Sequence, residues 1–432
     1  MPMQDEPITI NYGRGHLALP LPAHAEPTVI RKQQLPKIAD PHAAIADVLA
    51  NPIDAAPLAE LARGKSSACI LICDITRPVP NHLFLRPMIE TMIAAGIPRD
   101  RISVLVATGL HRPNLGDELA ELVGDPWVLD NVRVENHYAR NEEDHVDFGF
   151  TATRNTPVKL DKLFVEADLR IATGLVEPHF MAGWSGGRKV IAPGVAHHET
   201  IRTFHSARFM EDPLAVQCNL IGNPLHEEQL EIVKMLGEVY ALNTVIDEDR
   251  DLVCVTFGEI IASHAAAVAF VSDATRVGLP RKFSTVVTSS AGYPLDKTYY
   301  QTIKGMVTPL DILEPGGTLI MVSECSEGFG SHEFREAQAR LIELGPERFL
   351  ATLTAKSLAE IDEWQTEMQL KPMRVGRIEL YTTGLAGADR DLTGVAMIED
   401  LTDAITQSIS RSGDARVAII PEGPYVIPQF AA

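Results

Sequence analysis

The sequence predicts an α/β protein with two domains and mostly parallel sheets. The main evidence is a series of short apolar runs, rich in β-branched residues, that alternate with segments long enough for a helix. The runs are Ala68–Cys73, Ile102–Ala107, Val132–Glu135, Leu169–Ala172, Leu252–Phe257, Thr285–Thr288, Leu319–Val322, Ile378–Tyr381 and Val417–Ile420. Such continuous runs are typical of parallel strands covered on both faces. A chain of 432 residues also exceeds what one hydrophobic core usually supports, so we expect a cofactor and substrate cleft between two domains.

The expected domain junction lies near residue 275. A helical stretch, His264–Val277, is followed by a turn containing glycine and proline, and Ser284–Thr288 then begins a second series of βα units. We therefore assign residues 1–275 to an N-terminal, cofactor-binding α/β domain. Residues 276–432 are expected to form a C-terminal α/β domain that contributes substrate-binding residues.

The N-terminal residues predict a hairpin rather than a targeting segment. Ile8–Tyr12 and His16–Leu21 flank a Gly-Arg-Gly turn, which favours a β-hairpin added to a sheet edge. The first thirty residues include Asp5 and Glu6 and lack a basic stretch followed by an apolar run. No later segment approaches the length of a membrane span, so the sequence predicts a cytoplasmic location.

The formal net charge of −20 limits the classes of partner. It repels nucleic-acid backbones and anionic lipid surfaces, and no cluster of Lys and Arg offers a local exception. An acidic substrate must therefore be attracted by a few local cations. The five cysteines are scattered and lack CxxC spacing, which argues against a structural zinc site or a disulfide scaffold.

Polar residues follow two of the predicted strands, at the edge where open α/β sheets bind ligands. Asp74 and Arg77 come directly after Ala68–Cys73. Arg77 is suited to grip a carboxylate or phosphate, with Asp74 orienting it; the alternative is an Asp that caps a helix beside a surface Arg. His111 follows the next strand and is suited to move protons near neutral pH, although a loop histidine without a function is the alternative.

The densest group of glycine and polar residues follows Leu169–Ala172. Its flexible, polar and cationic members are Gly183, Ser185, Gly186, Gly187, Arg188 and Lys189. Together they predict a phosphate cradle, because glycines let the backbone approach an anion closely. The spacing matches neither GxxxxGK[ST] nor GxGxxG, which argues against ATP hydrolysis and dinucleotide binding. A purely structural loop is the alternative.

Three histidines come shortly after this loop, and the last is the best candidate for a metal ligand. His197, His198 and His205 offer imidazole nitrogens, which suit nickel, copper, zinc or iron. No cysteine and no HxxxH spacing completes a site made of protein ligands alone. One histidine together with ligands from another source fits this pattern better than a histidine cluster.

The C-terminal domain has its own polar group after Thr285–Thr288. Tyr300, Gln301 and Lys304 lie near an expected helix start, and Tyr300 and Lys304 share a helix face. Gln301 and Lys304 are candidates to bind the carboxylate of a substrate. Solvated helix residues are the alternative.

Six motifs in series resemble the lactate racemase family over most of the chain. They are DITRP (74–78), GLHRP (109–113), EPHFMAGWSGGRKVIAPG (177–194), TFHS (203–206), GYPLDKTYYQTIKG (292–305) and WQ (364–365). The resemblance implies a small 2-hydroxy acid, such as lactate or malate, as the substrate of a racemase or epimerase. It also implies a nickel-pincer nucleotide, pyridinium-3,5-bisthiocarboxylic acid mononucleotide nickel, as the cofactor.

The resemblance assigns a role to each candidate residue. Lys189 would carry the nucleotide covalently, and His205 would be the protein's one nickel ligand. His111 and His179 would be the acid and base on opposite sides of the substrate during hydride transfer to the cofactor. The resemblance also implies that the substrate carboxylate is bound by Arg77, Gln301 and Lys304, and that the pocket is lined by Tyr300 and Trp364. Asp74 would contact Arg77 or a cofactor hydroxyl. The phosphate would be surrounded by Ser185, Gly186 and Gly187.

Other functions stay open at this point. A non-catalytic carrier of the nickel nucleotide would keep Lys189 and His205 without needing both bases, and a hydrolase or dehydrogenase with a diffusible cofactor would need no adduct. Further cations, for which Arg112, Arg188 and Lys297 are candidates, would favour a dicarboxylate substrate. Proteins that synthesise the cofactor and insert nickel are the expected partners.

Overall fold

A computed structural model describes residues 7–247 and 249–431. The chain divides into two compact units. Of the described residues, the N-terminal unit comprises those within Gln34–His205 and Asp212–Asp273, and the C-terminal unit comprises residues 7–33, Ser206–Glu211 and residues 274–431. The predicted α/β class with mostly parallel sheets and two domains is confirmed.

The strands of the described residues follow in chain order. They are β1 (Thr9–Tyr12), β2 (Gly15–Ala18), β3 (Glu26–Val29), β4 (Ala68–Cys73), β5 (Ile102–Ala107), β6 (Arg133–Asn136), β7 (His145–Phe150), β8 (Pro157–Asp161), β9 (Leu169–Leu175), β10 (Pro178–His179), β11 (Gly183–Trp184), β12 (Tyr240–Ile246), β13 (Leu252–Glu259), β14 (Arg276–Leu279), β15 (Phe283–Ser289), β16 (Leu313–Val322), β17 (Arg377–Tyr381), β18 (Ala396–Ile398), β19 (Arg416–Ile420) and β20 (Ile427–Phe430).

The helices of the described residues are given in the same order. They are α1 (Pro41–Ala50), α2 (Leu58–Ala62), α3 (Asn81–Ala94), α4 (Asp117–Val123), α5 (Pro126–Asn131), α6 (Lys162–Val165), α7 (Arg188–Ile191), α8 (His198–Phe204), α9 (Ala207–Met210), α10 (Pro224–Leu236), α11 (Ile260–Thr275), α12 (Tyr299–Val307), α13 (His332–Leu344), α14 (Pro346–Thr354), α15 (Glu363–Val375), α16 (Ala388–Leu392) and α17 (Leu401–Ser412). Single 3₁₀ turns occur at Arg99–Arg101, Glu142–Asp144, Leu310–Ile312 and Gly423–Tyr425.

The sheet of the N-terminal unit has the strand order β13-β12-β9-β4-β5-β6. All neighbours are parallel except β12 and β13. Ala68 to Ile72 of β4 are buried, which explains the uninterrupted apolar run, because helices cover both faces of a central parallel strand. The chain runs from β4 outward to β5 and β6, and then returns to β9 on the other side of β4. This reversal creates the crevice at which open α/β sheets bind ligands.

The sheet of the C-terminal unit is parallel throughout, in the order β18-β17-β16-β15-β19-β3. Its edge strand β3 comes from the N-terminus, where Val29 aligns with Ile419 of β19. Residues 7–33, which were expected in the first domain, therefore pack with the second. The other division falls at Ala274, beside the predicted junction. The predicted hairpin is present as β1 and β2, but the two strands form a separate two-stranded sheet instead of extending an edge.

A buried carboxyl group in the C-terminal unit should make stability depend on pH. Glu367 of α15 is 1% exposed, and its Oε1 has no hydrogen-bond partner among the described residues. Burial raises the pKa of Glu367, the carboxylates of Glu211 and Glu363 raise it further, and the result is about 8 despite the nearby Lys371. The folded protein therefore keeps a proton that the unfolded chain releases near pH 4.5, so this group lowers stability as pH rises from about 4.5 to 8.

We expect Glu367→Gln to remove this pH dependence. The amide has nearly the shape of the protonated carboxyl and cannot ionise, so the melting temperature of the variant should exceed that of the wild type by a margin that grows between pH 5.5 and 8.5. Differential scanning calorimetry across that range measures the margin. Glu347→Gln, at an exposed position of α14, is the control and should show no such trend. A constant difference for Glu367→Gln would contradict the prediction.

Candidate active site and cofactor site

Asp74 and His111 form a hydrogen-bonded pair at the carboxyl ends of β4 and β5. These strands are paired up to Cys73 and Ala107, so the residues that follow them emerge side by side. Asp74 Oδ2 lies 2.6 Å from His111 Nδ1, while Oδ1 accepts a hydrogen bond of 2.6 Å from the Thr76 hydroxyl. Although burial would raise the pKa of Asp74, the His111 ring and the Thr76 hydroxyl lower it to about 2. The carboxylate is therefore ionised and holds the histidine with Nδ1 protonated.

Arg77 and Glu177 form an ion pair between the residues that follow β4 and β9. The Arg77 Nη1 donates to Glu177 Oε1, and Glu177 is 5% exposed. Asp74 was expected to orient Arg77, but the guanidinium donates its hydrogen bond to Glu177 instead. Glu177 was part of a predicted motif but was given no role. It is a carboxylate that directly follows a predicted strand and precedes His179 by two residues, and this position was a signal that could have identified it.

His179 lies in β10, just beyond β9, and is buried. Its Nδ1 accepts hydrogen bonds from the backbone N–H groups of Ala182, at 3.1 Å, and Met181, at 3.4 Å. A neutral ring held in this way carries its proton on Nε2. The two candidate acid and base residues thus differ in tautomer, since His111 is held at Nδ1 by a carboxylate and His179 by backbone donors.

The glycine-rich loop is packed against the protein rather than open to a ligand. Gly186 has φ +80°, and a Cβ there would lie 2.8 Å from Val176 Cγ2. The Ser185 hydroxyl donates to the Leu175 carbonyl at 2.7 Å and accepts from the Glu177 N–H at 3.1 Å, while the Gly187 N–H donates to Asn243 Oδ1. These groups are engaged within the fold, so the geometry favours a role in shaping the loop over direct contact with a phosphate.

Lys189 follows this loop on the short helix α7. No hydrogen bond or ion pair of its amine is found within residues 7–247 and 249–431. Desolvation lowers the pKa of Lys189, and the positive charges of Arg77 and Arg188 lower it further, to about 7. A substantial fraction of the amine is therefore unprotonated near neutral pH, which is the nucleophilic form.

His205 caps the end of α8 and has the arrangement of a metal ligand with an oriented ring. It is 7% exposed, and its Nδ1 lies 2.8 Å from the Ile201 carbonyl, which can only accept. The neutral ring consequently carries its lone pair on Nε2, the tautomer that coordinates metals. Burial lowers the pKa of His205 to about 3, and the nearby charge of Lys189 contributes, which also places the amine and the ring within electrostatic range of each other.

The other histidines and acids near these segments have different partners. His197 Nε2 lies 2.9 Å from Glu142 Oε2, away from the strand ends. The carboxylates of Asp247, Asp249 and Asp251 form an acidic cluster around the amine of Lys37. The distance from that amine to Asp251 Oδ2 is 2.6 Å. His205 interacts electrostatically with Lys189 and stays the predicted metal ligand. This donor set fits a group that brings its remaining metal ligands with it.

Four of the five residues predicted to bind substrate lie in the C-terminal unit, and the fifth, Arg77, lies in the N-terminal unit. Tyr300, Gln301 and Lys304 lie on α12, whose first turn is capped by Thr298. The indole Nε1 of Trp364 is 3.2 Å from the hydroxyl of Tyr300. Gln301 is buried, and its Oε1 has no hydrogen-bond partner among the described residues. An amide held in this state is suited to bind a polar ligand.

Comparisons with known proteins agree over most of the chain. The family model of the lactate racemase N-terminal domain matches residues 12–217, and that of the lactate racemase C-terminal domain matches residues 280–427. The lactate racemase of Lactiplantibacillus plantarum is 32% identical over 88% of this chain and 89% of its own length. The lactate racemase of Thermoanaerobacterium thermosaccharolyticum is 30% identical over 97% of this chain and 98% of its own length.

Solved structures give the same result. The lactate racemase apoprotein from Thermoanaerobacterium thermosaccharolyticum matches with a TM-score of 0.89 and 28% identity, covering 98% of this chain and 100% of that one. A protein from Thermotoga maritima matches with a TM-score of 0.69 and 16% identity, covering 92% and 100%, which shows the fold alone.

The fold and its relatives define a two-domain α/β enzyme of the isomerase class. The chain belongs to the lactate racemase family, and it is a racemase. Within the described residues, no helix is both long enough and apolar enough to cross a membrane.

Proposed function

We propose that this racemase inverts C2 of lactate or a closely similar 2-hydroxy acid with a nickel-pincer nucleotide attached to Lys189. The observation that carries the proposal is the pair formed by Lys189 and His205: an amine with a pKa of about 7 lies within electrostatic range of a single buried histidine whose Nδ1 is held by a carbonyl. Lys189 is the attachment point, and His205 Nε2 is the protein's nickel ligand. When bound, the group supplies a reversible acceptor for the hydride from C2.

The protein's own contribution to the reaction is to bind the substrate and to move its hydroxyl proton. His111, with Nδ1–H held by Asp74 at 2.6 Å, accepts that proton at Nε2 and becomes an imidazolium that the carboxylate stabilises. His179 would serve the opposite enantiomer in the corresponding way through Nε2, the ring nitrogen that its backbone contacts at Nδ1 leave for the C2 oxygen. Two bases are required because the two enantiomers present their hydroxyl groups from different sides.

The charges near the candidate residues favour a monocarboxylate over a dicarboxylate such as malate. Arg77, Gln301 and Lys304 are proposed to bind one carboxylate. The further cations that a second carboxylate would need are already engaged: Arg112 forms two hydrogen bonds of 2.6 and 2.7 Å with Glu118, and Lys297 lies 2.7 Å from a Glu327 oxygen. The third candidate, Arg188, is buried and donates to the Ala182 carbonyl. The names of the relatives, lactate racemases, agree with this choice.

The experiment that tests the proposal is the intact mass of the protein after co-expression with enzymes that synthesise the cofactor and insert nickel. We expect an adduct that peptide mapping places on Lys189, bound nickel, and interconversion of the lactate enantiomers in a chiral assay. The Lys189→Arg variant should show no adduct and no activity. Expression without the synthesis proteins should yield inactive apoprotein.

Each alternative function predicts a different result from this experiment. An adduct with nickel but no turnover of lactate, malate, phenyllactate or gluconate would indicate a carrier. An active preparation without adduct and nickel would exclude the proposal and favour an enzyme with a diffusible cofactor.

A further inference from the structure

The ion pair between Arg77 and Glu177 leaves most of the guanidinium available to a ligand. The Arg77 side chain is 16% exposed, whereas that of Glu177 is 6% exposed. Within residues 7–247 and 249–431, Glu177 is the one hydrogen-bonding partner of the guanidinium. An arginine has five N–H donors in a planar fork, so the remaining donors of Arg77 are suited to grip a carboxylate. Glu177 therefore contacts the group that the proposed function uses to bind substrate.

Glu177 is held more rigidly than an ion-pair partner at a protein surface. Its backbone N–H donates to the Ser185 hydroxyl at 3.1 Å, and its carbonyl accepts from the Ser185 N–H at 2.9 Å. These bonds join the end of β9 to the glycine-rich loop and hold the backbone from which the carboxylate extends. Ser185, for which contact with a phosphate stays a prediction, thus anchors the backbone of the residue that accepts a hydrogen bond from Arg77.

The second oxygen of the Glu177 carboxylate is unsatisfied. Its Oε2 is buried and has no hydrogen-bond partner among the described residues. Leaving a buried charged oxygen without a partner lowers stability, and an apolar residue would avoid that loss. A role in stabilising the fold therefore explains the residue poorly, and a role in the charge balance of the site explains it better.

We propose that Glu177 is a positioning residue that holds the Arg77 guanidinium in place and moderates its attraction for the substrate carboxylate. The inference rests on the proposed function, in which Arg77 binds that carboxylate. The negative charge of Glu177 repels the carboxylate of the approaching substrate. It therefore weakens the binding of substrate and of product alike. Moderate affinity favours turnover, because energy spent on tight ground-state binding does not accelerate the reaction.

Two substitutions distinguish the effect of the Glu177 charge from the effect of its hydrogen bond on the position of the Arg77 guanidinium. Glu177→Gln keeps an oxygen that accepts from Arg77 and removes the negative charge, so KM for lactate should fall, by about fivefold to tenfold for the loss of one nearby charge. Glu177→Ala removes the charge and also releases the guanidinium, so its KM should be higher than that of Glu177→Gln. Both variants should keep wild-type nickel content and the mass of the Lys189 adduct. Steady-state kinetics of the holoenzymes in both directions measure these values.

The matched control is Glu90→Gln, which breaks an exposed Arg–Glu pair in the same unit, where Arg86 Nε lies 2.8 Å from Glu90 Oε1. Its KM should equal that of the wild type. If Glu177→Gln and Glu177→Ala lower kcat and the melting temperature together while KM stays unchanged, Glu177 is a structural residue and the inference is overturned.

Calorimetric titration of the same holoproteins with racemic lactate, which is already at equilibrium, measures the affinity without net conversion. If the wild type binds lactate and does not racemise it, the proposed function fails, and the comparison of dissociation constants still decides the role of Glu177. The inference is supported if Glu177→Gln binds lactate more tightly than the wild type and Glu177→Ala. It is overturned if the three affinities are equal, or if the wild type binds no lactate at all.

Discussion

Replacement of His205 by alanine is expected to release nickel while leaving the adduct on Lys189. The imidazole of His205 is the candidate protein ligand beside Lys189, and its Nδ1 bond of 2.8 Å to Ile201 presents Nε2 for coordination. Without it, a metal that prefers four donors in a plane lacks its protein ligand. Racemase activity should fall to background because the hydride-accepting group needs the metal.

The measurements for His205→Ala are nickel content by elemental analysis and the intact mass of the protein. His198→Ala is the matched control, since this histidine begins the same helix, α8, and should keep both nickel and activity. Full nickel content in His205→Ala would exclude His205 as the ligand. Loss of the adduct together with the metal would instead indicate that the substitution prevents attachment of the nucleotide to Lys189.

Replacement of either proposed base should abolish most activity with nickel retained. General acid and base residues contribute roughly 10²- to 10⁴-fold to a rate, so we expect kcat losses of that size for His111→Ala and His179→Ala. Neither residue is the proposed metal ligand or the proposed attachment point, so nickel content and adduct mass should match the wild type. Asp74→Asn should cause a smaller loss of kcat, because the imidazole stays in place and only its Nδ1–H acceptor and the charge that stabilises the imidazolium are removed.

The pH dependence of these variants provides a second check. The pKa of Asp74 is about 2 in the folded protein, below its ordinary value near 4, so the stability that this carboxylate provides is present above pH 4 and is lost as pH falls towards 2. Between pH 6 and 8 the loss of folding stability caused by Asp74→Asn should therefore be independent of pH.

Normal racemisation by both His111→Ala and His179→Ala would show that the two-base scheme is wrong.

The strands were predictable where burial on both faces required a continuous apolar run, as in β4, β5 and β9. The strand β12 was not predicted, although it lies between β9 and β13 in the same sheet. Its Asn243 and Thr244 interrupt the apolar pattern, yet both are buried. The Asn243 amide is satisfied by Ser263 at 3.2 Å and by the Gly187 N–H at 3.1 Å. A polar residue with such distant partners is not distinguishable, by pattern alone, from one in a loop.

The partners of the candidate residues were less predictable than the residues themselves. Asp74 was expected beside Arg77, three positions away, and instead holds His111, while Arg77 pairs with Glu177. Ser185 was expected to contact a phosphate, and its hydroxyl bonds to Leu175 and Glu177. For Asp74 and Arg77, a nearby residue in the chain was favoured over a distant one that the sheet brings closer.

The amino-acid sequence by itself determined the α/β class, the family, and which lysine and histidines are candidates for chemistry, because apolar periodicity and motif order are local properties of the chain. The tertiary structure alone decided which side chains meet. Adjacent parallel strands place residues from separate segments within hydrogen-bonding distance, and burial sets the pKa values of Lys189 and His205. Both effects depend on neighbours that are distant in the chain, which residue spacing does not encode.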